Sequence, residues 1–302
     1  MPSPQMLLVR ELIELHRAAT SLSIEERRQR YERAETAFGA DSVPAGERVV
    51  AGGCEAEWVR PRRGDEPVLV YTHGGAYAYG SSRSHRHLSA MIGMAAETAV
   101  LSLDYRRAPE HPFPAAVEDA FSAYRWLLEQ GVPARRIVLA GDSAGGGLVV
   151  ASMLMARDAG VPLPAAGACL SPWFDLTGEG GGLLTHAERD PLLDPEDLRR
   201  MAALYLAGAD PRHPLASPLF ADLRGLPPLL LHVGSDEILV DDARTFARSA
   251  AGAGVRVTLE EWPDVVHVWH WYFPVLDEAR LAIDRAAAFL AETLEAVGEP
   301  GR

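Results

Sequence analysis

Two apolar rhythms alternate along most of this chain. Short, nearly unbroken apolar runs occur at 67–73 ("PVLVYTH"), 99–105 ("AVLSLDY"), 136–141 ("RIVLAG"), 164–171 ("PAAGACLS") and 227–234 ("PPLLLHVG"). Between them, apolar residues recur at helical spacing over 84–97, 114–131, 144–160, 239–254 and 276–297. Runs of the first kind predict buried strands, and those of the second predict amphipathic helices. A strand pair is expected at 47–51 and 54–60, and one more strand at 255–262 ("VRVTLEEW"). Apolar strands separated by helices imply an α/β fold, with a mostly parallel central sheet and helices on both faces. Residues 1 to about 38 read as helical, with Ser23 and Glu26 at the spacing of a capping box.

One segment breaks the alternation. Residues 176–222 contain "GEGGGLL", then "DPEDLRRMAALYLAG", then a proline-punctuated loop. That is too long for an ordinary connection between strands. The organisation expected is therefore N-terminal helices (1–44), an α/β core (45–175 and 223–298), and an insertion (176–222). The helices and the insertion together would form a cap over the C-terminal ends of the strands.

Composition narrows the chemistry. The formal net charge is −13, which argues against nucleic acid and anionic lipid as partners. The chain has no lysine and no asparagine, so its 29 basic residues are all arginines. Schiff-base lysines, Ser-Lys dyads, P-loop lysines and Cys-His-Asn triads are thereby excluded. Cys54 and Cys169 stand alone in strand-like segments. Cys169 reads as a buried small hydrophobe, and the lack of a disulfide framework suits a reducing, cytoplasmic compartment. The N-terminal apolar run is broken by Arg10 and Glu11, too short for a signal segment or a membrane anchor.

Gly141-Asp142-Ser143-Ala144-Gly145 fits G-x-S-x-G between a strand and a helix. In that setting a tight turn lifts a serine hydroxyl above the sheet, and the flanking positions must lack a β-carbon. A plain glycine-rich turn or a phosphate loop is the competing reading, but neither G-x-G-x-x-G nor a Walker lysine is present. A nucleophilic serine needs a base and an orienting acid, in the chain order Ser, Asp/Glu, His. Asp236 and His267 each follow a predicted strand, at the sheet edge where α/β folds build sites. Asp241 and Asp242 read better as first-turn helix acids, Asp264 as turn chemistry and His232 as a core residue. His270 would flank His267. The glycine-rich loop after the 67–73 strand supplies candidate oxyanion donors at Gly74, Gly75 and Ala76, joined by Ala144. His85 and His87 have a metal-like spacing without acidic or thiol partners, so a helix-start or surface role is expected and no metal or cofactor is assigned.

Taken together, "HGGAYAYG", "DYRRAPEHPFPAAVEDA", "GDSAGG", "SPWFDL", "GSDEILVDD" and "DVVHVWH" resemble the hormone-sensitive-lipase-like family of α/β-hydrolases, the bacterial group IV carboxylesterases. The resemblance runs from about residue 45 to 295. It implies an α/β-hydrolase fold with a helical cap. It also implies Ser143 as nucleophile, Asp236 as acid, His267 as base, and oxyanion N–H groups at Gly75, Ala76 and Ala144. The chain departs from the pattern twice. Ala76 replaces the third glycine of the oxyanion loop, which keeps the N–H. Glu237 replaces the proline usual after the acid, which sets a second carboxylate beside the first.

The function expected is a serine carboxylesterase for small, short- to medium-chain esters. Lactone opening and deacetylation use the same machinery. A ligand-binding receptor on this scaffold is the alternative from another class. Tyr77, Tyr79, Trp173, Phe174 and Trp269 are candidate substrate-pocket residues, with Trp271 nearby. The stretch Asp104–Glu110 reads as a polar brace for the elbow and the glycine loop. The partner expected is a small-molecule ester, with a homodimer as the candidate assembly.

Overall fold

The computed structural model describes residues 1–15, 22–37 and 43–298. Parts of the expected N-terminal helical stretch, at 16–21 and 38, lie outside them. Helices α1 (Pro4–Leu15) and α2 (Ile24–Ala37) come first. The capping box forms as expected: the Glu26 N–H donates to Ser23 Oγ at 3.2 Å, and the Ser23 N–H donates to Glu26 Oε2 at 2.8 Å.

The sheet then assembles from β1 (Glu47–Ala51), β2 (Cys54–Arg60), β3 (Val68–Thr72), β4 (Ala99–Asp104), β5 (Ile137–Asp142), β6 (Ala166–Leu170), β7 (Leu229–Gly234) and β8 (Val257–Trp262). Their order is β1-β2-β4-β3-β5-β6-β7-β8. The β1–β2 and β2–β4 pairs are antiparallel, and every other pair is parallel. Helices α3 (Arg86–Ala95), α4 (Ala115–Glu129), α5 (Ala144–Asp158), α8 (Val240–Gly252) and α9 (Asp277–Gly298) connect or follow the strands. The insertion supplies α6 (Gly182–Thr185) and α7 (Pro195–Leu206).

Strand periodicity divides the core between the two faces. Val68 and Val70 of β3 join Tyr124 and Leu127 of α4, Leu148 and Leu154 of α5, and Phe246 of α8. Leu69 and Tyr71, one residue out of phase, join Leu88 and Ile92 of α3 and Ile283 and Leu290 of α9.

The remaining helices rest on loops at the C-terminal edge of the sheet. Met6, Val9 and Ile13 of α1 bury against Val265, Val266 and Trp269. In α2, Arg28 Nε donates to the Ala78 carbonyl at 2.9 Å. In α7, the Asp194 carboxylate caps the N–H groups of Glu196 and Asp197, and the Tyr205 ring stacks on Tyr77 at 3.9 Å. A bidentate ion pair joins α2 to α7: Arg27 donates to the two carboxylate oxygens of Asp197 at 2.7 and 2.8 Å. Among the described residues, no helix is long and apolar enough to cross a membrane.

Candidate active site

The turn from β5 into α5 places Ser143 at φ 52°, ψ −120°. A left-handed φ on a residue with a β-carbon costs about 1–3 kcal/mol, so the surroundings must enforce it. They do so by close approach. A β-carbon on Gly145 would stand 1.9 Å from the Thr72 carbonyl oxygen, and one on Gly141 would stand 2.5 Å from the Gly145 carbonyl oxygen. The Ser143 N–H donates to the Leu170 carbonyl at 2.8 Å, and the Trp173 N–H donates to the Ser143 carbonyl at 3.0 Å. The serine is half-buried at the top of the sheet.

Beside it, the loop after β3 turns through left-handed Ala76 and Tyr77. Among the described residues, the N–H groups of Gly75, Ala76 and Ala144 have no protein acceptor. Gly74 departs from expectation, because its N–H donates to Asp142 Oδ1 at 3.0 Å and is already used. Asp142 is buried and also accepts from Tyr71 Oη at 2.6 Å, while His85 Nε2 stands 3.4 Å from its other oxygen. Burial would raise the pKa of this carboxyl, but His85, Tyr71 and His73 outweigh it and hold it below the ordinary value. Asp142 therefore ties the elbow to the glycine loop.

The Asp104–Glu110 stretch braces that loop as expected. Tyr105 Oη donates to the His73 carbonyl at 2.7 Å, the Ala108 N–H to the Tyr77 carbonyl at 2.9 Å, and Arg107 to the Gly80 carbonyl. His85 and His87 are buried rather than on the surface, and His85 stands at the N-terminal cap position of α3 without a side-chain capping bond. Burial, aided by His85, drives the pKa of His73 down to about 3 and that of His87 to about 4. Both are therefore neutral, buried rings.

The carboxylate that meets His267 is not the one expected from the sequence. Asp236 does not touch His267; it forms an ion pair with Arg10 of α1. The neighbouring Glu237 stands on His267 instead, with Oε2 2.7 Å from Nδ1. The Glu237 carboxylate is fully buried. Its Oε1 accepts from Ser171 Oγ and from the Gly234 N–H, both at 2.6 Å. The physical reason is a tight turn. The Glu237 N–H donates back to the Gly234 carbonyl at 3.2 Å, which folds Glu237 inward over the end of β7 and leaves Asp236 facing outward.

Ser171 completes the frame. Its hydroxyl donates to Glu237 and accepts from the Val268 N–H at 3.0 Å. It thus connects the acid loop, the His267 loop and the 171–173 segment that holds the Ser143 carbonyl. Burial would lower the pKa of His267, but the hydrogen bond and charge of Glu237 raise it above the ordinary histidine value, with Asp190 and Asp142 contributing. Burial raises the Glu237 carboxyl in turn.

The aromatic candidates separate. Phe174 is fully buried and stacks on Phe246 at 4.1 Å, and Trp269 is fully buried among Trp262, His232 and His270. These two are core, because each points into the layer between sheet and helix. Tyr77 and Trp173 are buried within 6.0 Å of each other. Tyr79 keeps accessible surface, with Tyr31 of α2 at 4.7 Å, and Tyr31 in turn lies 5.8 Å from Trp271. His232, as expected, is a buried core residue, within 3.1 Å of His270 and 3.2 Å of Glu260.

Sequence reasoning missed Glu237, Ser171 and Asp190. A signal existed for the first two. Glu237 fills a position that departs from the resembled pattern, and Ser171 opens the quoted "SPWFDL". Asp190 sits in the insertion with no motif around it.

A family profile described as alpha/beta hydrolase fold matches residues 69–271. Over 290 residues the chain is 60% identical to a protein of Streptomyces hygroscopicus named acetyl-hydrolase, covering 96% of this chain and 97% of that one. It is 34% identical over 250 residues to the carboxylesterase NlhH of Mycobacterium tuberculosis, covering 79% and 77% of the two chains. Among solved structures, an esterase from the bacterial hormone-sensitive lipase family is 47% identical. It superposes with a TM-score of 0.90 over 97% of this chain and 99% of that one.

Proposed function

Because this chain belongs to the α/β-hydrolase family, alongside the bacterial hormone-sensitive-lipase-type esterases, we propose that it is a serine carboxylesterase for small, short- to medium-chain esters. Ser143 is the nucleophile, His267 the base and Glu237 the acid. His267 takes the proton from Ser143 Oγ as that oxygen bonds to the ester carbonyl carbon. The carbonyl oxygen becomes an oxyanion, held by the N–H groups of Gly75, Ala76 and Ala144. The tetrahedral species then collapses, and the alkoxide leaves as alcohol with the proton from His267. Water repeats the sequence on the acyl-enzyme and releases the acid. Glu237 fixes the ring tautomer with Nδ1–H toward itself, so that Nε2 is free to accept. It also stabilises the imidazolium that forms.

The observation that carries this reading is the 2.7 Å contact between Glu237 and His267, taken with the left-handed serine at the elbow. An acetyl group is the favoured acyl part, because the relative at 60% identity is named for acetyl hydrolysis. Helices α1 and α2 and the insertion act as a cap, supported by their packing on the loops of the site. The receptor alternative requires a lost triad residue, and it is disfavoured by the serine at the elbow and by the histidine with a carboxylate on its Nδ1.

Labelling with a fluorophosphonate tests the reading directly. The expected adduct is on Ser143, and Ser143→Ala should lower turnover of a short-chain aryl ester by at least about 10⁴-fold with the fold intact. Absence of labelling, or an unchanged rate in the variant, would overturn it. An acyl-chain series with a lactone and an acetylated sugar included then ranks the substrates.

A further inference from the structure

Resting on that reading of the site, we propose that Asp190, in the insertion, is a positioning residue for the acid and the base. Its carboxylate joins the insertion to the loop that carries Glu237, and its negative charge supports the protonated state of His267. Asp190 is 1% exposed. Its Oδ1 accepts from the N–H groups of Leu192 and Leu193 at 2.9 and 3.0 Å, and its Oδ2 accepts from the Ile238 N–H at 3.1 Å. These partners are N–H donors on both oxygens, which is the environment of an ionised carboxylate.

Ile238 directly follows Glu237, so the last of these bonds sets the backbone from which the acid side chain projects. A buried carboxylate is costly unless it is paired and hydrogen-bonded. Here burial pushes the Asp190 pKa above the ordinary carboxylate value, while the His267 charge and the three N–H groups pull it down. Three carboxylates act on His267. Glu237 contacts it, Asp190 and Asp142 add negative charge, and neutral His270 lies on its own segment. At the rim, Arg10 is neutralised by Asp236 and donates to the Arg189 carbonyl at 3.4 Å, which seats the residue before Asp190. The base thus depends on a carboxylate that the core of the fold does not supply. When the insertion is seated, Glu237 is aligned and the imidazolium is favoured.

The test compares Asp190→Asn with the parent enzyme, using p-nitrophenyl acetate across a pH series. The expected result is an acidic limb of kcat/KM moved to lower pH by about half a unit or more, because a negative charge that raised the base has been removed. The plateau kcat should fall about 10- to 100-fold, with KM little changed. A profile whose limb superimposes on the parent's, whatever the change in melting temperature, would reduce Asp190 to a structural contact. If Asp190→Asn does not fold, Asp190→Thr, which can still accept from Ile238, takes its place, and failure of both to fold overturns the proposal. Ser143→Ala and Glu237→Gln run alongside. Turnover that survives those two would sink the reading of the active site itself, which is a different failure.

Discussion

Asp236 and Glu237 are adjacent carboxylates with different tasks: one anchors Arg10 of α1, and the other orients His267. Their substitutions should diverge accordingly. Glu237→Gln keeps the volume but can present an N–H to Nδ1, which favours the wrong ring tautomer. We expect a loss in kcat of about 10³- to 10⁴-fold. Asp236→Asn should cost less than about tenfold, since no reacting atom depends on it. In the parent, the acidic limb of kcat/KM should lie above the ordinary histidine value of about 6.5, because imidazolium cannot accept the serine proton and Glu237 raises the pKa at which it forms. In Glu237→Gln that limb should move down. Equal losses from the two variants on a chromogenic acetate would reject the assignment. Apolar periodicity shows where β7 leaves the sheet, and so locates the acid loop. It does not say which of two consecutive side chains turns inward. That choice is made by the Gly234–Glu237 turn and by the Ser171 hydroxyl, which is tertiary information.

At the level of elements, β3 to β7 and the helices around them were legible because burial on both faces demands continuous apolar runs. The capping box at Ser23 and the first-turn acids of α8 were legible as well, because caps are local chemistry. How α1, α2 and α7 dock was not, because an apolar stripe does not name its partner. The Arg27–Asp197 fork illustrates the gap: the residues are far apart in sequence, yet Arg27 is 6% exposed and fully engaged. Removing Arg27 deletes two charge-assisted hydrogen bonds in a largely dry site, at about 1.5–3 kcal/mol, while Asp197 keeps Arg200 at 2.7 Å. Arg27→Ala should therefore lower the melting temperature by several degrees. It should also raise KM more than it lowers kcat, since α2 and α7 pack on Tyr79 and Tyr77 rather than on His267. Calorimetry and steady-state kinetics on the same preparation check both parts. A fall confined to kcat would place the pair's influence on the chemistry instead of on the cap.

For the whole molecule, net charge and local charge point the same way. The chain carries −13 overall, and the carboxylates of Glu237, Asp190 and Asp142 all act on His267. Buried carboxylates suit a reaction that passes through an imidazolium, but they make the site unwelcoming to an anionic substrate. The summed field over such a surface changes encounter rates, and salt screens it over about 10 Å at 0.1 M. Two acetate esters of matched size, one neutral and one with a carboxylate on the alcohol part, should therefore respond differently to salt. For the neutral ester, kcat/KM should stay flat between about 20 and about 500 mM salt. For the anionic ester it should begin lower and rise by about 3- to 10-fold over the same range as repulsion is screened. A shared salt response, or a decline for the anionic ester, would mean that cations at the mouth outweigh the molecule's net charge. The arginines lining α1 and α2 would then be the place to look for them.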